Sequence, residues 1–126
     1  MVIKTGTVTP TVAGSNARNI TLGFVPNKVE VYNVSTGDQL TWTADMPDAY
    51  GFKRVAAGTA TYITSLGITP LGDDEGLTVA ASDTTVDGNT TTLTGVRGFT
   101  IGADTDINVC GETMMWVAFG LGHDSD

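Results

Sequence analysis

The sequence predicts an all-β fold: an antiparallel β-sandwich of jelly-roll-like topology with a partly extended N-terminal arm. Composition is the first reason. Threonine and the 16 glycines are abundant while Lys, Arg, Gln and Glu are scarce, and β-branched residues favour strands as glycine favours turns. Periodicity is the second, because apolar residues recur with period two rather than 3.6. The third is spacing, with short runs separated by Gly, Pro, Asn and Asp as in sandwiches and barrels.

Strand-like runs cover residues 5–11, 17–23, 28–34, 39–44, 59–63, 76–81, 91–93, 98–101 and 113–119. Residues 1–16 read as a Thr/Gly/Val arm without large side chains, able to pair as a strand but expected to order only against a neighbour, by adding a strand to an adjacent subunit or by lying along a partner's surface. In 28–34, Val29, Val31 and Asn33 share one face, and Lys28, Glu30, Tyr32 and Val34 the other, which is half polar and so meets solvent or a partner. Pro26 with Asn27, and Thr36 to Asp38, mark the reversals on either side of this run, and Asp87 to Asn89 a later one. Segments 45–58 and 64–75 show neither alternation nor helix caps and read as loops. Residues 113–119, apolar on both faces, are expected to form a central strand buried on both sides, with Trp116 in the core. The sandwich domain is thus 17–120, and 121–126 a flexible tail.

At 126 residues the chain is about one domain long and can bury one core without disulfides or metals. Its net charge is −8, and Arg97 is the only Lys or Arg after Leu71. Such a surface repels phosphate, and Lys53 with Arg54 is a poor substitute for a basic stripe, so no nucleic-acid partner is expected. No apolar run approaches the roughly 18 residues of a membrane helix, and MVIKTG is no signal-peptide core, so synthesis in the cytoplasm without membrane association is expected. Cys110 has no partner for a disulfide and is expected to be a small core residue.

The residues offer little chemistry. The single histidine, His123, lies in the tail, where it cannot hold a catalytic geometry, and no nucleophile or phosphate-binding motif occurs, so no enzyme is expected. Asp73, Asp74 and Glu75, with Asp83 or Asp87, could ligate Ca²⁺ but read as a solvated loop. Asp104, Asp106 and Asn108 begin like an EF-hand loop, but Val109 replaces the required glycine and Met115 the closing glutamate. An Asx turn is expected there, and no metal or cofactor. Sequons at Asn19, Asn33 and Asn89 carry no assigned function. Trp42, Tyr50, Phe52 and Tyr62 could build a sugar-stacking platform, a core or a subunit interface.

The stretches ITLGFVPNKVEVYN at 20–33, and GFTIG followed by DINVCGETMMWVAFG within 98–120, resemble small structural proteins of tailed phages. In these a strand pair of the form GF.P..V.v.N opens a β-domain and a strand ending W.AF closes it. Trp42 within 40–46, and ITSLGI at 63–68, fall between them in the same order, so the likeness spans roughly 20–120. It implies a virion protein: either a capsid decoration (cement) protein or part of a tail or fibre. A chain without long repeats or heptads fits decoration better, as a homo-oligomer, expected to be a trimer, docked on the major capsid protein. The expected contact residues are Val2, Lys4 and Val8 of the arm with Tyr50, Phe52, Lys53 and Arg54. The alternative is a module of a tail or fibre that binds glycans or the host surface.

Overall fold

The computed structural model describes residues 2–11, 17–56, 58–71, 77–78, 92–93 and 97–120. Every described element is a strand: β1 (Val2–Val8), β2 (Arg18–Thr21), β3 (Lys28–Asn33), β4 (Gln39–Thr43), β5 (Tyr50–Arg54), β6 (Ala60–Leu71), β7 (Leu77–Thr78), β8 (Thr92–Leu93), β9 (Gly98–Ile101) and β10 (Met114–Gly120). The chain is therefore all-β and antiparallel. Eight strands form one sheet in the order β1-β10-β3-β4-β5-β6-β9-β2, and β7 pairs with β8 separately.

That sheet curls over its own inner face. Phe99 on β9 meets Trp116 on β10 edge to face, with ring centroids 5.6 Å apart, although five places in the strand order separate the two strands. Alternation supplies the core: Val29 and Val31, Leu40 and Trp42, Phe99 and Ile101, and Met114, Trp116 and Ala118 are all buried. Each such pair or triplet is spaced by two, which places its members on one side of the pleat. Ile107, from the loop before β10, also enters this core.

Several expectations need correction. Residues 2–8 do not wait for a neighbour. They pair with β10 of the same chain, from Val2↔Gly120 to Val8↔Met114, and Val2 and Val8 pack against the core. The pairing is close because β1 has glycine opposite Trp116, where a Cβ on Gly6 would stand 2.6 Å from the indole. Within the expected loop 45–58 lies β5. Its inward alternation was hidden because Gly51 occupies the core-facing place, under the Leu40 side chain. The expected loop 64–75 is in part the second half of β6. That strand pairs with β5 through Ala60 to Ile63 and with β9 through Ile68 to Leu71. Residues 64–67 form a bulge between the two pairings, with Leu66 at φ 63° and Ala49 opposite at φ 69°. Gly67 can lie against the Ala49–Tyr50 backbone because it has no Cβ.

β10 lies one place in from the edge, between β1 and β3, rather than at the centre, and only one of its faces is buried: Met115 is 40 % exposed. Cys110 is half-buried rather than a core residue. Most of the expected run 76–81, and the tail with His123, lie outside the described residues.

Candidate binding face

The described residues of the inner face are packed into the core, so the side chains left to solvent lie mainly on the outer face of the sheet. Strand register sets it out in rows. One runs Thr5, Val117, Glu30, Thr41, Phe52, Tyr62, and the next Thr7, Met115, Tyr32, Gln39, Arg54, Ala60. A third runs Ile3, Phe119, Lys28, Thr43.

Two apolar areas result, with a polar band between them. At one side, β1 and β10 expose Ile3 and Met115 beside the half-buried Val117 and Phe119. At the other, β5 and β6 expose Phe52 (42 %), Tyr62 (49 %) and, in the bulge, Leu66 (48 %). Tyr50 joins them through an edge contact with Tyr62, ring centroids 5.6 Å apart. The band on β3 and β4 is internally satisfied. The Tyr32 hydroxyl donates to Glu30 Oε1 at 2.7 Å, and Lys28 Nζ lies 3.3 Å from Glu30 Oε2 and 5.5 Å from the centre of the Phe119 ring. The bond from Tyr32, against a smaller effect of burial and with help from Lys28, lowers the Glu30 pKa. The same bond raises that of Tyr32.

Of the seven residues expected to make contacts, the fold brings together Tyr50, Phe52 and Arg54. Lys53, alternating to the inner side, is held between Asp104 (3.0 Å) and Asp106 (2.8 Å). Burial pulls the Lys53 pKa down, but hydrogen bonds to Asp106 and Asp104 and their charges outweigh it, so the pKa is raised. Val2, Lys4 and Val8 also alternate inward, Val2 and Val8 to pack on the core and Lys4 to bond the Leu22 carbonyl. Trp42 leaves the supposed platform for the core, its Nε1–H donating to the Pro47 carbonyl at 3.2 Å. Sequence reasoning passed over Ile3, Leu66 and Met115. The signal for Leu66 was the strand it sits in, and for Ile3 and Met115 the out-facing parity of β1 and β10.

The EF-hand-like segment is the expected Asx turn. Asp104 Oδ1 accepts from the Asp106 and Ile107 amides at 2.8 and 3.2 Å, and the Lys53 ammonium occupies the space between the two carboxylates. No group of three His, Cys, Asp or Glu able to hold a metal occurs among the described residues. Asp73, Asp74, Glu75, Asp83 and Asp87 lie outside them. Asn33 and Asn19 are buried. Asn33 donates to the Ile107 carbonyl and to Glu112, and Asn19 Oδ1 accepts from the Thr100 hydroxyl, so both asparagines are structural in the folded chain, while Asn89 is outside the described residues. No helix among the described residues is long and apolar enough to cross a membrane.

Comparison with known proteins finds no match to a family model, a curated protein or a solved structure.

Proposed function

We propose that the chain is a non-catalytic virion protein of a tailed phage, a capsid decoration protein that docks as a homo-oligomer on the outer shell. The observation that carries this reading is a sheet whose inner face is already packed while its outer face leaves Ile3, Phe52, Tyr62 and Met115 uncovered. Exposed apolar areas of this kind mark protein contact. The likeness of residues 20–120 to phage structural proteins supplies the partner, the major capsid protein. A protein that binds only the assembled lattice stabilises it by mass action, and many copies multiply a modest energy per site.

The β1–β10 area is the proposed shell contact. The test is rebinding of the purified chain to particles of the encoding phage stripped of it, read by cryo-electron microscopy. Density is expected at every lattice repeat, lost when Ile3 and Met115 are both replaced by Asp. Absence from the particle, or a few copies at the tail alone, overturns the reading. The clustering of Tyr50, Phe52 and Tyr62 supports a second reading, glycan or host-surface binding by a tail module. Binding on a glycan array that is lost in Phe52→Ala would favour it.

A further inference from the structure

We infer that the β5–β6 end of the outer face is the contact for a second copy of this chain, related by a two-fold axis. This rests on the homo-oligomer part of the proposed function and makes its symmetry two-fold rather than three-fold. The strip follows β5 through Tyr50, Phe52 and Arg54, with Tyr62 opposite Phe52.

Its two ends carry opposite charge. Arg54, at the end of β5, is exposed, and so are Asp45 and Asp48 in the turn before Tyr50. None of the three makes an ion pair among the described residues. Lys28 and Glu30, the nearest other charges on the face, neutralise each other. A two-fold axis lying in the plane of the face and across the strands reverses the strip. It sets each Arg54 over the partner's acidic turn, and the aromatic middle over its own copy. Isologous contacts require this self-complementarity, whereas a three-fold ring needs two different surfaces. Between chains of net charge −8, this orientation converts local repulsion into attraction.

Sedimentation of the full chain over a micromolar concentration series tests this. A dimer is expected. Arg54→Asp should weaken it about tenfold or more, because each charge pair occurs twice and attraction becomes repulsion. Asp45→Arg with Asp48→Arg should do the same, and all three changes together should restore it. Phe52→Asp should leave a monomer with an unchanged far-ultraviolet dichroism spectrum. A wild-type monomer, a trimer, a dimer indifferent to these changes, or a monomer that binds glycan through Phe52 overturns the inference. Particle rebinding through Ile3 and Met115 is read separately, so the virion reading stands or falls apart from this one.

Discussion

The Lys4 ammonium, on edge strand β1, donates a 2.8 Å hydrogen bond to the carbonyl of Leu22, just beyond the opposite edge strand β2. The two ends of the eight-strand order are thus brought within a side chain's reach, and an edge that could template a foreign strand is partly blunted. Lys4→Met keeps the aliphatic stem and removes the bond. The expected cost is about 1 kcal/mol in urea denaturation, with faster amide exchange along Arg18–Thr21. Unchanged exchange would mean that the curl holds without this clasp.

Trp116 is buried (8 % exposed), set against Phe99 and over Gly6. Trp116→Ala should cost roughly 3–5 kcal/mol, as large aromatic deletions do. Gly6→Val should cost about 1–3 kcal/mol by driving a side chain into the indole. A loss below about 1 kcal/mol for Trp116→Ala, on a scale where core deletions cost several, would remove this residue from the core.

Lys53 neutralises Asp104, whose side chain is 8 % exposed. Lys53→Met should therefore cost about 3 kcal/mol near neutral pH, since it leaves a buried carboxylate without its cation. The pH dependence follows from the raised pKa of Lys53. A group that holds its proton more tightly when folded stabilises fully below its unfolded pKa, about 10.4 for lysine, and loses that contribution as pH rises through the folded value. An alkaline fall in melting temperature above about pH 10 is expected. It should be smaller in Lys53→Met.

Ala49 sits at φ 69° across from the bulge. Ala49→Gly removes the Cβ that disfavours this region, and a gain of about 0.5–1 kcal/mol is expected, net of the entropy glycine adds to the unfolded chain. Destabilisation in calorimetry would show that the methyl group's packing outweighs the backbone strain.

The strands that alternate cleanly were legible in the sequence. In β3, Val29, Val31 and Asn33 point inward as their parity requires, and the Asx turn at Asp104 follows from residue type alone. What hid β5 was Gly51, a core-facing position that carries no apolar side chain because Leu40 fills its place. The end of β6 was hidden by a four-residue bulge that breaks the period. The arm was misjudged because small side chains do indicate a weak core contribution, but they are equally what lets β1 lie flat against the Trp116 ring. The aromatic face was half legible. Tyr50, Phe52 and Tyr62 were visible as residues, but their common side depended on the register between β5 and β6, which is set by pairing at a distance.

The place of β10 between β1 and β3 governs the order in which the molecule can be made. β1 leaves the ribosome before the other strands of the sheet, yet its only strand partner among the described residues ends at Gly120, so it must wait until β10 has been made. The meander β3–β4–β5–β6 can assemble earlier from neighbours in sequence. It does so with the core side of β3, Val29 and Val31, still open to solvent. Pairing across such separations is slow and exposes apolar surface meanwhile. The hazard is therefore greatest just before β10 emerges, and a chain truncated within residues 102–113, with β10 missing, would present the most aggregation-prone intermediate.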